Sequence, residues 1–179
     1  YNTGAFFSNM ILTEETGFHQ GFNHQVLDFQ ELISKNPTYP DLVKYSMEWI
    51  GKLNPNRPIF AFIHEFDPHF PYIPEKSLFK SLYGVSVEES YSSLPESDKN
   101  LLSWFGDDWK DILIHKKSLF DLSTQGNDYM QKLYDAEIFR VDNEFGRLTN
   151  WLKRTGKFDD SFIVFMSDHG EGFGDHPFY

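Results

Sequence analysis

Two continuous apolar runs constrain this chain more than any other feature: IFAFIHEF at 59–66 and FIVFMS at 162–167. Each has the length of a strand and lacks the polar alternation of a half-solvated one, the pattern of strands buried on both faces of a parallel sheet. Each also runs into a polar cluster, DPHFPYIP at 67–74 after the first and DHGEGFGDH at 168–176 after the second. Open α/β sheets bind their ligands outside the C-terminal ends of the strands. The pattern therefore points to an α/β fold with chemistry concentrated in two strand-end clusters.

Around these runs the periodicity supplies helices. Tyr39 to Leu53 places Val43, Met47 and Ile50 on one stripe with Leu42, Tyr45, Trp49 and Leu53 beside it, and Pro40 and Asp41 suit a first turn. From near Asp128 a long amphipathic helix is predicted, because Tyr134, Ile138, Val141, Phe145, Leu148 and Leu152 recur at spacings of 4, 3, 4, 3 and 4. RTGKFDDS then gives a Gly C-cap and a turn. Gly4 to Met10 reads as a short strand and TEETGFHQGFNH, which follows Leu12, as a loop. Residues 73–126 interleave aromatics with Ser, Glu, Lys and Asp without a steady period, which reads as an insertion of short helices over a site.

Composition removes several function classes. A formal charge of -11 disfavours nonspecific binding to nucleic acid or to an anionic membrane, both of which need a basic footprint, although a clustered acidic site can hold a cation. No stretch has the roughly 18 apolar residues of a membrane span. With no Cys there is no disulfide, no thiolate nucleophile and no thiolate zinc site.

Asp168 and His169 follow the second run directly, and a carboxylate beside an imidazole offers hard oxygen and borderline nitrogen ligands to one divalent ion. The alternative is that Asp168 caps a helix and His169 bonds backbone. In the first cluster Pro68, Pro71 and Pro74 restrict the backbone around His69, which suits a histidine that donates to an anionic oxygen. His64 lies within the apolar run and reads as a core histidine, and Asp67 as a residue bonding turn amides.

Taken together, DPHFPY after a buried strand and YDAEIFRVDNEFGRLTNWLKRTGKFDDSFIVFMSDHGEGFGDH resemble the sulfatases of the alkaline phosphatase superfamily, including the related phosphonate monoester hydrolases. The likeness is strong over residues 59–72 and 134–176, and weaker over YNTGAFFSN and GFHQGFNH. It implies an alkaline phosphatase-like fold with a central, mostly parallel sheet flanked by helices. In that fold residues 1–179 form part of a catalytic domain and 73–126 a variable helical insertion. It implies Asp168 and His169 as ligands of a divalent cation, calcium in a sulfatase and manganese or zinc in a phosphoesterase. It makes His69 a contact to the sulfate or phosphate group that assists the leaving oxygen. His176 and Glu171 line the pocket in this scheme, His176 as a substrate contact, and Asp142 serves structure.

The substrate implied is a small-molecule or glycan ester of sulfate, with a phosphodiester or phosphonate monoester as the alternative. Phosphoethanolamine or glycerophosphate transfer in the same superfamily is a further alternative, and a noncatalytic metal-binding scaffold is the alternative of another class. The family nucleophile, a Cys or Ser in C/S-x-P-S-R with the Cys oxidised to formylglycine, has no counterpart here, since the chain has no Cys and no PSR. The expectation is therefore an internal fragment of a larger enzyme, lacking the N-terminal nucleophile segment and the C-terminal region and inactive alone.

Overall fold

The computed structural model describes residues 1–9, 12, 14–27, 41–102 and 122–173. They form strands β1 (Asn2–Phe7), β2 (His24–Leu27) and β3 (Ile59–His64) and helices α1 (Leu42–Lys52), α2 (Lys76–Tyr83), α3 (Val87–Ser92), α4 (Glu96–Leu102) and α5 (Thr124–Arg154). The chain divides into two compact units, one from Tyr1–Phe66 with Val141–Phe162, the other from Asp67–Arg140 with Ile163–Tyr179.

In the first unit the strands make a parallel sheet in the order β2-β1-β3, with Gly4 opposite His24 and Ala61, and Phe7 opposite Leu27 and His64. Central β1 is buried from Gly4 to Phe7 because both faces are covered. On one face lies α1, whose Trp49 meets Phe6 edge-on at 5.7 Å and stacks on His24 at 5.6 Å. On the other, Phe18 of the loop before β2 packs on Phe7 and Phe62 at 5.5 and 5.4 Å, and Phe22 stacks on Phe60. Asp41 is the N-cap of α1, accepting from the Lys44 amide at 2.9 Å, and the same carboxylate pairs with Arg147 of α5. Burial alone would raise the Asp41 pKa, but the Arg147 guanidinium and the Lys44 amide outweigh it and hold the group below its ordinary value.

In the second unit α2, α3 and α4 fall within the stretch expected to hold short helices. Phe79, Leu94, Leu102, Leu122, Tyr129, Met130, Leu133 and Ala136 form its apolar core. Ser123 begins α5, its hydroxyl accepting from the Gly126 amide at 3.2 Å while its own amide donates to buried Asp98 at 3.1 Å. At the other end of α5, within the first unit, Gly156, at φ +66°, lets Lys157 N–H reach the Leu152 carbonyl at 2.9 Å, the cap that RTGK foretold.

Three expectations change. Residues 162–167 form no strand: the segment is exposed, Phe162 at 94% and Met166 at 79%, and no described strand pairs with it. β3 is an edge strand of the described sheet, and Phe60 is half exposed rather than buried on both faces. The loop expected after β1 is present over residues 14–23, and β2, a four-residue strand, follows it where the sequence pattern gave no element past His24. On α5 the buried face in the second unit runs through Tyr129, Met130, Leu133, Ala136, Glu137 and Arg140, which turns Ile138 of the apolar stripe out to solvent.

A Cβ on Gly4 would lie 2.9 Å from two ring atoms of Trp49, closer than packing allows. Gly4→Ala in the full-length protein is expected to lower stability by about 1–3 kcal/mol through displacement of the indole from Phe6 and His24. An unchanged urea midpoint would show that Trp49 does not depend on the missing side chain.

Candidate functional site

The segments after the two apolar runs both lie in the second unit. The loop 67–73 leaves β3 and contains two cis peptide bonds, Asp67-Pro68 and Phe70-Pro71. His69 is exposed on it. Its Nδ1 sits within hydrogen-bond distance of the Phe70 carbonyl, and since a carbonyl only accepts, Nδ1 carries the proton. Nε2 is then the nitrogen with the lone pair in the neutral ring, and the proton-donating position when the ring is charged.

The second segment brings His169 against it, with the two imidazole rings edge to face and centroids 6.2 Å apart. The His169 ring is held in the same way, Nδ1 donating to the Gly170 carbonyl at 2.9 Å, which leaves the Nε2 lone pair for a ligand. Asp168 Oδ1 accepts from the His169 amide at 3.0 Å. His169 does bond backbone, as the alternative reading of this pair has it, but among the described residues no helix begins after Asp168 for it to cap. The His169 pKa is raised by the Gly170 carbonyl and then by the Asp168 carboxylate, against an opposing effect of burial, with Glu171 adding last.

As donors to a divalent cation, Asp168 and His169 fit in kind. Asp168 Oδ2 and His169 Nε2 are 3.9 Å apart and both open to solvent, a gap that one ion with bonds of roughly 2.0–2.6 Å can bridge. Among the described residues no group of three or more His, Cys, Asp or Glu converges. Two donors alone do not make a metal site. His176 lies outside the described residues. Glu171 is half-buried and Asp142 is exposed on α5, away from the buried face. His64 ends β3 half-buried and stacked on Phe62 at 6.1 Å, outside the fully buried core.

Sequence reasoning missed two residues beneath the loop. Arg140 donates to Asp67 Oδ2 from both Nε and NH2, at 3.1 and 2.8 Å, so Asp67 bonds a helix side chain rather than turn amides. Glu137, 1% exposed, accepts from the Ile73 amide. The signal was present as two charges at i and i+3 flanked by Leu133 and Ala136, but a stripe drawn through apolar residues passes them by.

Against known sequences, the profile described as Sulfatase matches residues 1–179. The chain belongs to the sulfatase family. Its α/β architecture, a parallel sheet with helices, accords with that family's alkaline phosphatase-like fold. Among curated relatives, an arylsulfatase of Clostridium perfringens is 25% identical over 146 residues, covering 77% of this chain and 27% of its own length. A choline-sulfatase of Rhizobium meliloti is 27% identical over 118 residues, 64% of this chain and 21% of that protein. The multifunctional alkaline phosphatase superfamily protein PehA of Trinickia caryophylli is 45% identical over 47 residues, 26% of this chain and 9% of that protein. The chain thus spans about a quarter or less of the length of these relatives. No solved structure matches it significantly.

Glu137 carries the largest titration shift at the site. Burial, reinforced by Asp67 and opposed by the Ile73 amide and Arg140, with Glu171 adding further, pushes its carboxyl up to about 9 from an ordinary 4.5. A folded-state pKa above the unfolded one means that the fold keeps a proton the unfolded chain releases. The stability this confers is whole below about 4.5 and declines as pH rises toward about 9, by at most roughly 1.4 kcal/mol per unit. Glu137→Gln keeps an oxygen for the Ile73 amide and removes the titration. Wild type is expected to lose stability relative to this variant as pH rises through that window, and parallel stability curves would contradict the shift.

Proposed function

We propose that the full-length protein containing this chain is a sulfuric ester hydrolase that uses a divalent cation, and that residues 1–179 form part of its catalytic domain, with 73–126 as a variable helical insertion. The observation that carries the reading is the meeting of His69 and His169, from segments far apart in sequence, with Asp168 beside them. Membership of the sulfatase family supports it.

In this reading Asp168 contributes an anionic oxygen and His169 the Nε2 lone pair to the cation, with calcium the expected ion and manganese or zinc the alternatives. When bound, the cation supplies positive charge beside the anionic sulfuryl oxygens. His69, as imidazolium, holds a proton at Nε2. As the S–O bond to the organic group breaks, the bonding pair moves onto the leaving oxygen and His69 delivers its proton there, releasing an alcohol. The attacking group lies outside the residues assigned here, formylglycine being what the family resemblance implies. His176 is assigned as a second contact to the anion on that resemblance.

A phosphodiester or phosphonate monoester is the second reading. It is favoured by the 45% identity over 47 residues to a relative named as a multifunctional alkaline phosphatase superfamily protein. The same residues would act in the same roles on a phosphoryl centre.

The test uses full-length protein purified with its metal. Asp168→Ala combined with His169→Ala is expected to remove stoichiometric calcium, manganese or zinc from a protein that still melts cooperatively, and to abolish hydrolysis of an aryl sulfate. Retained metal together with retained activity would sink the assignment. Wild type turning over an aryl phosphodiester with higher kcat/KM than the matching aryl sulfate would replace the first reading with the second.

A further inference from the structure

The buried face of α5 is apolar through Met130, Leu133 and Ala136 and then carries two charged-type side chains, Glu137 and Arg140, 1% and 9% exposed. Hydrophobic burial does not account for them. A carboxyl and a guanidinium lose hydration on burial, and Leu at either position would fill the space at lower cost. Glu137 adds to that cost, because its Oε2 is buried with no hydrogen-bond partner among the described residues. What both side chains do instead is grip one loop. Arg140 holds Asp67 through two N–H groups, and Glu137 holds the Ile73 amide. Those contacts lie at the two ends of the segment that carries His69. Between them Tyr72 packs edge-on against Tyr134, 5.4 Å away on the same helix. Phe173, four residues beyond His169, packs on Tyr72 and Tyr134 at 5.9 and 5.3 Å. Three successive positions at i, i+3 and i+6 on one helix face thus hold the loop of His69 and the segment following His169.

We propose that Glu137 and Arg140 are positioning residues, a clamp on both ends of the 67–73 loop that fixes His69 relative to Asp168 and His169. The inference rests on the role given to His69 above. Neither residue touches the reacting atoms; they act through the loop. Loss of the clamp lets His69 drift from the leaving oxygen, and a misplacement of about 1 Å can cost on the order of 100-fold in rate.

The experiment takes the full-length metal-loaded protein with His69→Ala, Arg140→Ala, the double variant, Glu137→Leu and Glu137→Gln. Each is assayed on aryl sulfates of graded leaving-group basicity, and amide hydrogen exchange is followed in the peptide spanning 67–75. Arg140→Ala is expected to lower kcat on the order of 100-fold with a smaller change in KM. The loss should steepen toward poor leaving groups, as His69→Ala does, and Arg140→Ala should cost little more when His69 is already absent. Exchange in 67–75 is expected to quicken in Arg140→Ala and Glu137→Leu. In Glu137→Gln it should stay slow, because the amide oxygen still accepts from Ile73. An Arg140→Ala loss of equal size with and without His69, or unchanged exchange in 67–75, overturns the clamp. Should Arg140→Ala fail to fold, Arg140→Lys replaces it with the same expectations, since an ammonium cannot reproduce the two-point grip. If His69→Ala slows all leaving groups equally, it is the proton-donor role that falls, and the exchange result then decides the clamp.

Discussion

Arg140 delivers two N–H groups to a single oxygen of Asp67, with the two side chains only 10% and 18% exposed, and the placement of the candidate site follows from that pair. The loop it holds is poor in backbone donors, because Pro68 and Pro71 have no N–H to give. Such a segment has fewer backbone bonds with which to pin itself. Side chains reaching in supply anchors, and the planar guanidinium fork is well matched to a carboxylate. The pairing also explains why neither charge stands alone out of water: removing one partner from a largely buried pair costs on the order of 3–5 kcal/mol, mostly by stranding the other.

The remainder of the second unit follows from the same helix. α5 starts where Ser123 and Asp98 satisfy its first amides, and a side chain on Gly126 would run into the Asp98 carboxylate at 2.7 Å. One turn on, Tyr129 and Met130 enter the apolar core with Phe79 and Leu94. Past Ala136 the face changes character and turns to recognition of the loop. One helix therefore serves first as core and then as a mount, and both segments that carry the histidines rest on Tyr134 through Tyr72 and Phe173.

Much of this was legible in the residues. β1, β3, α1 and α5 follow from apolar runs and helical spacing, and the Gly156 cap from RTGK. His69 and the Asp168-His169 pair were singled out from sequence, and the structure brings the two histidine rings together. What failed did so for physical reasons. Hydrophobicity says that 162–167 is suited to burial but not which strand edge would pair with it, and among the described residues none does. β2 is short and contains Gln25, so its strand character depends on the neighbouring β1 rather than on its own composition. The buried face of α5 was misdrawn because apolar residues were counted and polar side chains with buried partners were not. Glu137 and Arg140 become suitable for burial only once Ile73 and Asp67 are in place, a tertiary fact that no local window contains.

An anomalous-difference map of full-length crystals grown with manganese in place of calcium tests the central claim most directly, that the two segments on α5 build one metal-assisted site. The expected result is a single peak within roughly 2.0–2.6 Å of both Asp168 and His169. The His69 ring should stand beside it, with Asp67 still on Arg140. A peak that avoids Asp168 and His169, or a His69 loop released from Arg140 and turned away from the ion, would contradict it.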